Sequence, residues 1–352
     1  MTTTTNPSTQ LPERIDDVDQ LEEMLSDPTP AAVTAMRNVQ GDLLVLGVAG
    51  KMGPTLARMA KRASDAAGAK RRVIGVSRFS DPNEETRLRE HGVETIKADL
   101  LDQSQLDKLP DAANVLYMAG MKFGATGKEA LTWAMNTYLP GMVCNRYPKS
   151  RVVAFSTGNV YGLVPATSGG SIEADVPNPM GEYAMSCLGR ERMFEHFSCA
   201  LSIPMAIIRL NYATEMRYGV LVDLAKKVWS GETIDVAMGH FNVIWQADAN
   251  AMTLAAFDHL TSPPLMLNVA GPEIVRVRDV CTTFGQLMGK PVKFTGTEAT
   301  DALLNNGSLG YKLAGRPRVT LDQLIKWVAQ WVKSGGASLG KPTHFEARDG
   351  KF

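Results

Sequence analysis

The stretch Asp42-Leu-Leu-Val-Leu-Gly47-Val-Ala-Gly50-Lys-Met-Gly53-Pro-Thr-Leu-Ala-Arg-Met-Ala60 constrains the fold more than any other part of the chain. Leu43 to Leu46 is a short apolar run bounded by a turn signal, the pattern of a fully buried strand. Gly47, Gly50 and Gly53 follow at once. Leu56, Met59 and Ala60 then recur at helical spacing, with Arg58, Lys61 and Arg62 on other faces. Strand, glycine turn and helix in this order is the setting in which a glycine pattern points to a dinucleotide. Gly47 allows a tight turn, Gly50 the close approach of a pyrophosphate, and Gly53 the packing of helix on strand. The N–H groups at the helix start, with Lys51 and Met52 in the same loop, face the phosphates. The spacing is G-x-x-G-x-x-G rather than G-x-G-x-x-G, so a purely structural β–α turn is the competing reading.

A chain of 352 residues can bury a core large enough for one big α/β unit or two domains. Charged residues make up 21% and sum to a formal net charge of zero, so no global basic field draws nucleic acid, and none is expected as a partner. Cys144, Cys187, Cys199 and Cys281 lack close paired spacing, which fits reduced thiols better than a disulfide framework or a zinc site. No metal is expected. Met1 to Gln10 is Thr-rich and polar, and no run reaches the ~18 apolar residues of a membrane span. The expectation is a cytoplasmic protein without a membrane partner, disordered up to about Ser8.

Asp19 to Leu25 and Ala31 to Val39 read as short helices, an N-terminal extension (1–40) that could be a lid, an oligomer contact or simple packing. From Gly47 to Arg209 strands and helices alternate. Strands are expected at Arg72 to Val76, Glu94 to Lys97, Asn114 to Met118, Arg151 to Phe155 and Met205 to Arg209. Between them come helices at Glu84 to His91, Ser104 to Lys108, Glu129 to Cys144 and Glu182 to Phe197. This alternation argues a Rossmann-type, doubly wound parallel sheet over residues 41–211. Beyond about Tyr212 the pattern loosens: a helix at Val220 to Trp229, strands around Thr233 to Ile244, a helix at Ala249 to Leu260, a strand at Leu265 to Val269 and an amphipathic helix at Leu321 to Val332. Residues 212–352 read as a smaller α+β cap over the strand ends, with some segments returning to the sheet.

At the end of the second strand, where an acid would bind a ribose 2′-OH, the chain has Ser77 and Arg78. A hydroxyl and a guanidinium match a 2′-phosphate better, which favours NADP over NAD. Asp99 and Leu100 would lie beside the adenine, unless Asp99 is a turn or cap residue.

Several spaced signals now fall into one order: the three glycines, Asp99, Met118-Ala119-Gly120-Met121-Lys122, Asn136, Ser156-Thr157-Gly-Asn159-Val-Tyr161-Gly162 and Pro179-Met-Gly-Glu-Tyr183. Together they resemble the extended short-chain dehydrogenase/reductases, the NAD-dependent epimerase/dehydratases, from about Asp42 to Trp331. The resemblance implies cofactor contacts at Met118, Ala119, Gly120, Lys122 and Asn136, a catalytic hydroxyl at Thr157 and a catalytic tyrosine at Tyr183. It also implies substrate contacts at Thr157, Asn159 and Asn211, and a homodimer through helices on the sheet's flank; Trp245 is a further candidate to face the substrate, with a core or surface role as the alternative. Hydride transfer at a carbinol carbon needs a group that takes or gives the hydroxyl proton. A tyrosine, with an unperturbed pKa of about 10, does this poorly unless a cation stabilises its phenolate.

The family supplies that cation as the lysine of Tyr-x-x-x-Lys, and here the position is Cys187. Cys187 shares Tyr183's face of the helix but carries no positive charge. Three readings stand: another cation, Lys122 or Arg190, takes over; the dinucleotide is bound with little or no turnover; or Cys187 is reactive, its pKa lowered by Arg190. The segment Gly239 to Asp248 lacks the arginine with which nucleotide-sugar members grip a diphosphate, and has Phe241 and Asn242 instead. Asp248 reads as a helix N-cap. The expected function is an NAD(P)-dependent oxidoreductase or epimerase acting on a free sugar, sugar acid or keto-sugar. The rival is a weakened or inactive dinucleotide-binding sensor or scaffold.

Overall fold

The computed structural model describes residues 11–122 and 127–350. The N-terminal residues expected to be disordered lie outside them. Seven strands make one sheet: β1 Leu43–Leu46, β2 Val73–Ser77, β3 Glu94–Lys97, β4 Asn114–Tyr117, β5 Arg151–Thr157, β6 Met205–Leu210 and β7 Leu265–Val269. Their order is β7-β6-β5-β4-β1-β2-β3, and every neighbouring pair is parallel. Leu43 and Val45 point to one apolar layer and Leu44 and Leu46 to the other, because successive side chains on a strand face opposite ways. A sheet buried on both faces accounts for the unbroken apolar run of β1. The strand order reverses at β1, which opens a crevice between the C-terminal ends of β1 and β4.

The extension forms α1 (Val18–Leu25) and α2 (Pro30–Asn38), capped by the side chains of Asp17 and Thr29. Leu21, Leu25, Ala35 and Met36 are fully buried, and α2 lies on α3 (Gly53–Ala66). Glu23 of α1 pairs with Arg58 of α3. Of the three roles considered for the extension, packing is the one its burial describes.

Next come α4 (Pro82–Glu90) and α5 (Gln103–Asp107). The single helix expected from Glu129 to Cys144 is instead α6 (Glu129–Trp133), a π-helical turn (Ala134–Tyr138) and α7 (Leu139–Arg146). The tyrosine helix is α8 (Gly181–Leu201). Beyond β6, α9 (Val220–Ser230) leads to α10 (Gln246–Ala255), then to α11 (Val277–Met288), α12 (Ser308–Ala314) and α13 (Leu321–Lys333). Helix α11, absent from the sequence reading, packs with α9 and α13. The strands expected around Thr233 to Ile244 are three short pieces in separate two-stranded sheets. β7 returns to the main sheet beside β6, so the C-terminal part is not a separate run of chain. The last described residues form an irregular strap: Leu339 N–H donates to Arg217 O at 3.1 Å, Thr343 is held by Asp223, and Phe345 packs beside Phe241. Among the described residues no helix is long and apolar enough to cross a membrane.

Candidate active site

Gly47 ends β1 at φ +88°, and its N–H donates to Val76 O at 2.9 Å. A Cβ there would stand 2.7 Å from Ala119 N, so only glycine lets the loop lie against the end of β4. A Cβ on Gly53 would meet Val48 O at 2.1 Å, which is the close helix–strand contact expected of that position. Gly50 has nothing nearer than Gly47 O at 3.4 Å, leaving its face open. Helix α3 begins without a side-chain cap; Gly53 N–H donates to Gly50 O at 3.1 Å and Pro54 has no N–H, so Thr55 carries the first amide of the helix open to an outside acceptor. An open glycine face at the start of a helix fits a dinucleotide pyrophosphate.

The opposite wall is the end of β5 and the first turn of α8. Ser156 and Thr157 are adjacent hydroxyls with different duties. Ser156 Oγ donates to Glu191 Oε1 at 2.6 Å, and Glu191 is clamped by Arg209 at 2.8 Å, all of it buried. Thr157 Oγ1 donates to Asn159 Oδ1 at 3.1 Å, and both residues line the cleft. The Tyr183 hydroxyl is hydrogen-bonded to Thr157 and to Cys187 Sγ. Burial, and then the sulfur of Cys187, push the Tyr183 phenol well above the usual tyrosine range, while Arg190 pulls it back. Cys187 is fully buried against Val160 and Tyr161, and burial raises its thiol despite Arg190. The reactive-cysteine reading is thereby corrected: desolvation outweighs the guanidinium, and the sulfur stays protonated.

Arg190 is buried and donates to Asn136 Oδ1 at 2.5 Å and Phe155 O at 3.0 Å. Asn136 sits on the π turn, accepts from Met121 N–H at 2.8 Å and donates to Ser186 Oγ at 3.0 Å. Asn136 thus ties the end of β4 to α8 rather than opening into the cleft. The Lys122 ammonium lies 5.7 Å from the centre of the Tyr183 ring, and burial lowers its pKa to about 8.

These walls enclose a cleft of about 360 Å³. Gly47, Gly50, Lys51 and Met52 line it from the loop, Met118, Gly120 and Lys122 from the end of β4, and Thr157, Asn159, Tyr183 and Arg190 from the far wall. Ala119 is buried beneath Gly47. Other expected residues lie elsewhere. Ser77 is half-buried and Arg78 exposed at the end of β2, outside the cleft. Asp99 Oδ1 accepts from Leu101 N–H at 3.1 Å, the turn geometry that competed with an adenine contact, and Leu100 is buried. Asn211 donates to Asn242 Oδ1 at 2.9 Å, locking two loops. Trp245 is buried against Trp327, ring centres 5.7 Å apart, because its large apolar surface completes the core under α13. Asp248 is not an N-cap: it lies inside α10 and accepts from Arg318 N–H and Nε at 2.8 and 2.9 Å.

The sequence reading missed Tyr212, Tyr218, Lys341 and Thr343, all of which line the cleft. They come from the segment after β6 and from the C-terminal strap, where no periodicity or fixed spacing marks them.

The sheet order and the glycine cradle define a Rossmann-type dinucleotide fold. The sequence model of the NAD dependent epimerase/dehydratase family matches residues 43–214. Among solved structures, the UDP-glucuronic acid 4-epimerase from Bacillus cereus in complex with NAD is similar at TM-score 0.68 and 19% identity, covering 84% of this chain and 99% of that one. The dTDP-glucose 4,6-dehydratase from Bacillus anthracis in complex with NAD gives 0.70 at 14% identity, covering 84% and 97%. The UDP-glucose 4-epimerase from Thermotoga maritima with UDP-glucose gives 0.66 at 14%, covering 84% and 99%. At these identities the likeness speaks for the fold. No curated protein matches the sequence.

Proposed function

We propose that this protein is an NAD(P)-dependent epimerase or oxidoreductase acting on a carbohydrate-like alcohol or carbonyl. The observation that carries the reading is the hydrogen-bonded pair Thr157–Tyr183 on the wall of the cleft into which the glycine loop opens. The dinucleotide lies on Gly47, Gly50 and Gly53 and supplies the hydride acceptor or donor. Tyr183 takes or returns the hydroxyl proton, and Thr157 holds the substrate oxygen against it. Ser77 and Arg78, with no carboxylate between them, favour NADP over the NAD named for the neighbours.

The substrate is smaller than a nucleotide sugar. Phe241 is fully buried, and the Asn242 amide donates to Gly271 O and Asn305 O at 2.8 Å each, so that segment offers no clamp for a diphosphate. A free sugar, sugar acid or keto-sugar fits this better. Exposed Leu131, Tyr138 and Met185 on one flank support a homodimer there.

The test has two arms. The nucleotide released on denaturation is identified by mass spectrometry, and Tyr183→Phe is assayed against wild type on a panel of sugars and sugar acids. Loss of turnover with retained nucleotide supports the assignment. Unchanged turnover removes Tyr183 as the acid/base. The second reading, a dinucleotide binder without turnover, is favoured by the raised Tyr183 phenol, and it gains if nucleotide is retained while no panel member turns over.

A further inference from the structure

The cleft carries a charge imbalance that proton and hydride movement do not use. Four of its lining residues are cationic, Lys51, Lys122, Arg190 and Lys341, and none is Asp or Glu. The chain as a whole is neutral, so the excess is local. Arg190 is taken up by Asn136 and Phe155.

Lys51 leaves the glycine loop and lies against the cap: its Nζ donates to Ala213 O at 3.3 Å and stands 3.6 Å from the centre of the Tyr218 ring. Among the described residues no carboxylate oxygen forms an ion pair with it. The acids around it are engaged elsewhere, Glu215 with Arg217 at 3.1 Å and Asp223 with Thr343 Oγ1 at 2.6 Å. Lys122 stands on the Tyr183 side. Lys341 is exposed at the rim, between the anchored Leu339 and Thr343 of the strap. Lys51 and Lys122 are both buried, and the charge of Lys122 disfavours that of Lys51, a cost that an anion between them reverses.

We propose that Lys51 and Lys122, with Lys341 at the rim, form a subsite for an anionic group of the substrate, a carboxylate or a phosphate ester, on the cap side of the dinucleotide. This rests on the function proposed above and narrows its substrate to sugar acids or sugar phosphates. The cofactor's own pyrophosphate would lie against the glycine loop, whereas Lys51 Nζ lies on Ala213 and Tyr218, which belong to the cap. Lys122, beside Tyr183, keeps the anion near the reacting carbon.

The groups facing Lys51 are Glu215, Lys122, Arg217, Asp223 and Tyr218. Together with burial, the largest effect, they bring its pKa to about 7. An anion would raise that value, so binding near pH 8 takes up protons.

The experiment uses the full-length protein loaded with NADH. Inorganic phosphate, D-glucuronate and D-glucose are titrated calorimetrically in two buffers of different ionisation enthalpy, for wild type, Lys51→Met and Lys51→Arg. The proposal expects phosphate or glucuronate to bind with proton uptake and glucose to bind more weakly. Lys51→Met should weaken the anion by about tenfold or more and leave NADH within about twofold, and Lys51→Arg should retain anion binding. Binding of neither anion, or of glucose equally well, overturns the proposal. So does Lys51→Met weakening NADH instead of the anion, which would assign Lys51 to the cofactor's phosphates. Wild type that binds no NADH removes the function itself and the subsite with it.

Discussion

The guanidinium of Arg190 donates from Nε to the carbonyl of Asn136 at 3.3 Å, an acceptor whose helical donor four residues on is Pro140 and therefore has no N–H. The π turn, the proline and the arginine thus belong together. Pro140 cannot give this carbonyl an α-helical donor, and a cation reaching across from α8 donates to it. Arg190 lies one turn beyond Cys187, and a Cβ on Gly120 would fall 2.3 Å from its Nη2. A long side chain at 187 would compete for this space, so positions 187 and 190 are sterically and electrostatically coupled.

That coupling can be tested by a double substitution. Cys187→Lys alone should be destabilised, since it places a second cation beside a buried one. Arg190→Ala removes three buried hydrogen bonds, to Asn136 O, Asn136 Oδ1 and Phe155 O, and should cost upwards of about 2 kcal/mol. The double variant should be more stable than the sum of the singles predicts and at least as active as wild type. Urea unfolding and turnover check both points, and strict additivity would mean the two positions are unrelated.

The neighbouring hydroxyls Ser156 and Thr157 should separate stability from activity. Ser156→Ala removes a buried hydrogen bond to a carboxylate and should cost about 1.5–3 kcal/mol with kcat little changed. Thr157→Val should lower kcat by about 10²-fold with the smaller stability change. Glu191→Gln strands the buried Arg209 charge and should be the most damaging of the three, at about 3–5 kcal/mol.

Tyr183 fixes the sign of the pH dependence. Its phenol is held above the usual range by burial and by the Cys187 sulfur, so the protonated form dominates at neutral pH. Oxidation of an alcohol needs the tyrosine as base and should speed up as pH rises, with no plateau below about pH 10. Reduction of a carbonyl needs it as acid and should stay level across the same range. A plateau of the oxidation rate near neutrality would mean that another group takes the proton.

The sheet and its ligand crevice were legible because their signals are local. The apolar run of β1, glycines at fixed offsets and a helix behind them are enough to specify a switch-point loop, and Gly47 and Gly53 take the positions those offsets imply. Thr157 and Tyr183 came from the family resemblance rather than from local signals, and both line the cleft. What sequence spacing does not carry is choice among equivalent polar groups. Asp99 closes a turn and Asn211 ties two loops, and both outcomes are decided by partners far away or by backbone direction. Trp245 went to the core because Trp327 lies opposite, a pairing between segments with no shared period. Lys341 reaches the cleft only because Asp223 and Arg217 anchor the strap on either side of it.

Lys51 makes a last prediction that concerns stability rather than ligand. Burial holds its pKa at about 7, against about 10.4 for an unfolded lysine. Between those values the folded state binds fewer protons than the unfolded one, so this group's contribution to stability rises with pH across the window and is lost as pH falls through about 7. Lys51→Met removes the titration altogether. Relative to wild type, its melting temperature should therefore gain most near pH 6, and the gain should shrink toward pH 9 and beyond. The hydrogen bond to Ala213 and the contact with Tyr218 are lost too, which lowers the whole curve but leaves its slope. Thermal melts of both proteins across that range decide the matter: a difference that is flat, or that grows with pH, would mean the ammonium is comfortably paired in the folded cleft.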